Sequence, residues 1–271
     1  MRNILRVLDA PRPHWVGDGF PVRSLLSHHA HGQDISPFLL LDYAGPYAFD
    51  AAARPRGVGE HPHKGFETVT IVYDGEVEHR DSTGGGGVIG PGDVQWMTAA
   101  SGILHQEFHS KAFTAKGGPF EMVQLWVNLP AKDKMTEPKY QAITNAQMGR
   151  VPLANGGEVE IIAGEYNGVR GPGTTFSPVH LYNLKPMSGE TVDLSFPSGY
   201  TTAILAIEGS AKINDEKLAT DHLALFERDG ESIKIETLED SILLVMSGEP
   251  LNEPIAQYGP FLMNTQQEIA Q

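Results

Sequence analysis

Residues 59–81 read GEHPHKGFETVTIVYDGEVEHRD. From Phe66 to Tyr73 the chain is rich in Val, Ile, Thr and aromatic side chains, which suit a strand. Asp74-Gly75 then supplies a dipeptide fitted to the positive φ angles of a tight bend, so the segment is read as a hairpin. The pattern recurs. Laying Gly75 on Gly209 sets TVTIVYDGEVE (68–78) against TAILAIEGSAK (202–212), each an apolar strand, an acidic residue, a glycine and a short polar strand. Two similar β domains follow, joined within NLPAKDKMTEPKY (128–140), where charge and proline replace apolar runs.

The remainder agrees with this reading. Thirty glycines and 19 prolines punctuate the chain with turn signals, leaving little room for helices of ordinary length. Between them lie MVQLWVNL, EVEIIAG, VHLYNL, TTAILAIE, SIKIE and SILLVMSG, short strand-like runs at the spacing of a sandwich or barrel. The expected fold is all-β, two sandwich or barrel domains spanning 1–130 and 131–271. Helical patterning is confined to EPKYQAITNAQMG (137–149) and to the tail. There Thr265 and Glu268 form a capping-box pattern, opening a helix expected to run past residue 271.

Composition narrows the chemistry. A formal charge of -14 sets the average surface against phosphate backbones, so no direct nucleic-acid ligand is expected. With no cysteine, disulfides, thiolate metal sites and cysteine nucleophiles are excluded, and any metal must use His, Asp or Glu. The first twenty residues lack the uninterrupted apolar core of a signal peptide, and no run reaches spanning length. A soluble, cytoplasmic protein with no membrane partner is the expectation.

Residues two apart on a strand share a face, so His61 and His63 would present both imidazoles together. GPGDVQWMTAASGILHQEFHS (90–110) repeats the spacing with His105, Glu107 and His109. An isolated His-x-His is most often a surface pair, but two same-face sets in one domain could offer three nitrogens and an oxygen to one ion. Such ligands suit Fe(II), Mn(II), Co(II), Ni(II), Cu(II) or Zn(II). The repeat supplies a control: His61, His63 and Glu67 align with Ser195, Pro197 and Thr201, so the histidines are not required by the fold itself. HQEFH is not the metalloprotease pattern, because glutamate does not follow the first histidine directly. His28, His29 and His31 are read as a solvated loop, Gly84–Gly87 as a flexible hairpin connection, and Trp96 and Trp126 as core residues, with a substrate-facing role for either as the alternative.

HPHKGFETVTIV, PGDVQWMTAASGILHQEF, VQLWVNLP, GEPLNEPIAQYGPFLMNT and the early SPFLLLDYAGP together resemble the pirin family of the cupin superfamily, from about residue 10 to the last residue. The resemblance implies two antiparallel β-barrel domains of the cupin (jelly-roll) kind packed face to face, with an iron-type metal in the N-terminal one and none in the C-terminal one. Carried over by position, the metal ligands are His61, His63, His105 and Glu107, and the cofactor is Fe(II). Ordinary cupins take their glutamate from the first motif, here Glu67; pirins take it from the second. Face parity alone leaves Glu67 open, although Gly65 permits a bend before it. His109 is expected at the mouth of the site or beside Glu107.

Pirin-like proteins include quercetinases. The implied activity is therefore quercetin 2,3-dioxygenase cleavage of a flavonol by O2, with Glu107 also acting as catalytic base. The alternative implied by the same family is a metal- and redox-dependent regulatory protein that binds a transcription factor or a metabolic enzyme subunit.

Overall fold

A computed structural model describes residues 1–271. Its strands sort into two compact units that interleave in sequence. One comprises residues 11–31, 38–146 and 251–271, and the other residues 1–10, 32–37 and 147–250. Each unit contains a seven-stranded and a four-stranded sheet, all pairings antiparallel. The sheets do not close into a continuous barrel. In each unit the two sheets face each other across buried hydrophobic side chains in a jelly-roll arrangement.

In the histidine-bearing unit the large sheet runs in the order Lys139–Ile143, Val94–Thr98, Phe66–Asp74, Gly118–Asn128, Phe38–Phe49, Phe20–Ser27, His14–Val16. The small sheet runs Gly57–His63, Ile103–His109, Val77–Asp81, Gly86–Ile89. The other unit repeats this order. Its large sheet runs Ile4–Leu8, Leu223–Phe226, Thr201–Glu208, Ile242–Gly248, Val179–Lys185, Glu158–Ala163, Gly149–Pro152. Its small sheet runs Thr191–Ser195, Ser232–Thr237, Ala211–Ile213, Glu216–Leu218. Phe66–Asp74 and Thr201–Glu208 occupy equivalent central positions, as the internal repeat requires. Edge positions are filled by chain that a sequential split would place elsewhere. Lys139–Ile143, past the expected join, pairs with Val94–Thr98, and Ile4–Leu8 pairs with Leu223–Phe226.

Two expectations are corrected here. Asp74-Gly75 does not close a hairpin: Phe66–Asp74 belongs to the large sheet and Val77–Asp81 to the small one. Gly75, at φ 82°, carries the chain across the sandwich, so that Val72 and Val77 meet in the same core. Gly209, at φ 68°, does the same between Thr201–Glu208 and Ala211–Ile213. Residues 137–149, patterned like a helix, instead give the strand Lys139–Ile143 and a short 3-10 turn at Asn145–Gln147. An open edge beside Val94–Thr98 offered backbone partners that outweigh a weak local preference. The tail helix forms at Gln266–Ile269, with the Thr265–Glu268 capping box intact. No helix is long and apolar enough to cross a membrane.

A buried lysine ties the histidine-bearing unit together near its site. Lys134 Nζ donates to the Gly65 carbonyl at 2.7 Å, Asn128 Oδ1 at 2.6 Å and the Leu262 carbonyl at 3.1 Å. Burial pushes its ammonium down to about 8. Gly65 is obligatory in this turn. Its φ is +89°, and a Cβ there would lie 1.8 Å from the Leu262 carbonyl oxygen.

Candidate metal centre

The strand Ile103–His109 alternates strictly. Ile103, His105, Glu107 and His109 are buried, and the residues between them are partly or fully exposed. Gly57–His63 lies beside it, with His61 opposite His105 and His63 opposite Ile103. A bulge between His105 and Glu107 then resets the register. Three rings converge: His61–His105, His63–His105 and His61–His63 centroids are 4.3, 4.8 and 5.0 Å apart. Ligand nitrogens of all three histidines lie within 4.8 Å of one another.

Protonation suits these rings to coordination. The Nδ1–H of His61 donates to the Gly59 carbonyl at 2.8 Å, leaving Nε2 with its lone pair. His63 Nδ1 and His105 Nε2 are buried with no hydrogen-bond partner, an arrangement that is costly unless something binds there. Burial, with His105 and His61 adding repulsion against the opposing pull of Glu107, pushes His63 down to about 3. Burial and then His61 and His79 push His105 down to about 2. Both are neutral ligands near pH 7, and the donor set fits a divalent ion.

Glu107 is brought to the same cluster by a different neighbour set. Its carboxylate groups within 4.8 Å with His105 and with His79, a residue that sequence reasoning did not single out. Gln95 Nε2 donates to Glu107 Oε1 at 2.6 Å, and Gln124 Nε2 donates to Oε2 at 3.0 Å. Both glutamines stand on the large sheet, so the carboxylate bridges the sandwich. Glu67 lies in neither group. Past the Gly65 bend it joins the large sheet and accepts from Thr98 Oγ1 at 2.8 Å, and burial pushes it up to about 7.

The remaining histidines are placed otherwise. His109 is buried among Phe20, Phe49, Phe113 and Phe120, and its Nε2–H donates to the Gly19 carbonyl at 2.9 Å. It is a core residue, not a mouth residue. Below Glu107 the inward face of its strand passes from the His/Glu cluster into this aromatic core, which period-two reasoning cannot distinguish. His28, His29 and His31 form a short surface turn away from the cluster. Trp96 is fully buried, as expected for a core residue.

Trp126 is partly buried against the core cluster of Leu39, Phe66 and Leu262, and its other side is open. It lines a cavity of about 360 Å³ together with His61, His63, Glu107, Val22 and Met122. Asp42 also faces this cavity, bonded by Ser24 Oγ, with its carboxyl raised by burial. The faint sequence signal for these groups was alternation: Gln124 and Trp126 share a face, as do His79 and Asp81.

Residues 19–127 match the Pirin family, and residues 181–271 match the Pirin C-terminal cupin domain. A Pseudomonas aeruginosa protein provisionally named a quercetin 2,3-dioxygenase is 54% identical over 272 residues, covering 100% of this chain and 95% of that one. The chain belongs to the pirin family. Human pirin is 36% identical over 247 residues, covering 88% of this pirin and 80% of the human chain. Among solved structures, a quercetin 2,3-dioxygenase from Acinetobacter baumannii superposes with a TM-score of 0.96 at 50% identity, covering 100% of this pirin and 94% of that chain. The two-cupin jelly-roll is thus the fold of its relatives, and the His/Glu cluster of this pirin is one able to hold a divalent metal.

Proposed function

We propose that this pirin is a metal-dependent dioxygenase of the quercetin 2,3-dioxygenase type, with His61, His63, His105 and Glu107 as the ligands of a divalent ion, Fe(II) in its native state. The observation that carries the reading is the convergence of three imidazoles, two of them, His61 and His63, on the wall of a largely apolar cavity, with His63 and His105 each keeping a buried ring nitrogen that nothing in the protein satisfies. The names of the relatives agree with it.

When bound, the ion supplies a Lewis-acid and redox centre with open positions for flavonol and O2. The protein supplies the rest. Val22, Met122 and Trp126 offer apolar and aromatic surface to a flat ring system, in a cavity at the small end of the range for small-molecule sites. Asp42 stands in that wall as a partner for a substrate hydroxyl. Glu107 accepts the proton of the flavonol 3-hydroxyl as general base, while Gln95 and Gln124 hold its oxygens in place. Excluding water from the cavity strengthens these polar contacts.

The test is oxygen uptake with quercetin, together with metal analysis of the same samples. Metal-loaded wild type should consume O2, His61→Ala should lose both metal and turnover, and Glu107→Gln should lose more turnover than metal. A fully loaded protein inert toward flavonol and O2 would overturn the enzymatic reading.

A further inference from the structure

His79 sits behind His105 on the side opposite the unpaired Nε2, and it makes two contacts through its two ring nitrogens. Its Nε2 is 3.0 Å from Asp81 Oδ2, with both side chains fully buried. Its Nδ1 is 3.3 Å from His105 Nδ1. A carboxylate only accepts, so His79 Nε2 carries the hydrogen. With that single ring hydrogen on Nε2, Nδ1 is an acceptor, and the 3.3 Å contact is then a hydrogen bond donated by His105 Nδ1. That order of bonds removes the hydrogen from His105 Nε2, the buried atom that has no partner in the protein. It also leaves His79 no lone pair for an ion, although it lies within ligand distance of His105 and Glu107.

The relay is anchored at both ends. Asp81 Oδ1 accepts from Thr83 N at 2.9 Å, Thr83 Oγ1 at 2.7 Å and Gly85 N at 3.0 Å, so Oδ2 is left to face His79. The glycine-rich turn serves this purpose: a Cβ on Gly85 would lie 2.4 Å from Asp81 Oδ2. The His79 ring stacks on Tyr140, with centroids 4.9 Å apart and planes 14° from parallel.

We propose that Asp81 and His79 are positioning residues that lock His105 in the tautomer presenting Nε2 to the metal. This rests on the reading of His105 as a ligand. Without the relay His105 would divide between two tautomers and a range of ring angles, and metal affinity would fall; outer partners of this kind typically contribute about 10- to 100-fold.

The experiment measures Ni(II) binding to the metal-free protein by calorimetry and the His105 tautomer by long-range 1H–15N spectra, assigned by difference against His105→Gln. Wild type should show a protonated Nδ1 and a bare Nε2. His79→Phe keeps the stacked ring but removes both bonds, and should weaken Ni(II) binding about 10- to 100-fold and release the tautomer. His79→Gln, whose amide both accepts and donates, should recover most of the affinity, which a merely structural role would not produce. If His79→Phe does not fold, Asp81→Ala carries the same prediction.

Equal affinity in wild type and His79→Phe, or a wild-type His105 protonated at Nε2, overturns the relay. If wild type and His61→Ala alike bind no Ni(II), the ligand reading fails instead. The wild-type tautomer then still decides whether the relay orders His105.

Discussion

Trp126 Nε1 donates to Gln124 Oε1 at 3.2 Å, and this bond decides which end of the Gln124 amide meets Glu107. Indole is a donor only, so the amide oxygen faces Trp126 and the amino group faces the carboxylate. The Tyr140 hydroxyl orients Gln95 in the same sense, at 3.4 Å from its Oε1. Trp126→Phe should preserve the aromatic wall yet let the amide turn. Because one such hydrogen bond contributes about 1 kcal/mol, flavonol turnover is expected to fall up to about tenfold with metal content unchanged. Parallel kinetics and elemental analysis check this.

Chelation should destabilise the histidine-bearing unit. A ligand at a thousandfold excess over its Kd stabilises the folded state by about 4 kcal/mol. Thermal unfolding with and without a chelator should therefore show a lower melting transition for the stripped wild type. His61→Ala should melt alike in both conditions.

Glu67 predicts a pH dependence unrelated to the metal. Its folded-state pKa is raised to about 7 by burial, above the usual 4.5. The native state thus holds the proton more tightly than the unfolded chain. The associated stability is fully present below about pH 4.5 and is lost as pH rises through about 7. Glu67→Gln keeps an acceptor for Thr98 and abolishes the charge. Denaturant unfolding should show the variant more stable at pH 8 by about 3 kcal/mol, with the difference shrinking toward pH 5.

Lys134→Met should loosen the C-terminal segment. It leaves the Gly65 and Leu262 carbonyls and Asn128 Oδ1 without their shared donor. A net loss of about 2 kcal/mol is expected, since the relief of burying a cation offsets part of the cost. Limited proteolysis should cleave within residues 251–271 faster than in wild type.

His109 and His105 should separate cleanly. His109→Phe leaves the Gly19 carbonyl without its donor, costing about 1–2 kcal/mol of stability, and should not change metal affinity. His105→Phe should abolish metal binding. Equal effects of both on metal uptake would contradict the proposed division of the strand into a ligand half and a core half.

Much of the fold was legible because strand chemistry is local. The apolar runs around Phe66–Tyr73, Val179–Leu184, Thr201–Glu208 and Ile242–Gly248 all lie in strands, and the Gly75–Gly209 repeat marks equivalent crossings in the two units. The partner of each strand was less legible. Asp74-Gly75 looks like a hairpin because a glycine at positive φ serves equally to reverse a strand within a sheet or to pass it to the facing one.

Sequence by itself determined the residue types and their faces: all-β character, duplication, and imidazoles spaced two apart in only one of the copies. Period two is a property of any extended chain, so His61 with His63, and His105 with Glu107, were bound to share a side. Only the tertiary structure decided that His109 on the same face enters an aromatic core, that Glu67 crosses to the large sheet, and that His79 stands behind His105. Those outcomes depend on which strands pair and where a bulge shifts the register, and such contacts join residues far apart in the chain.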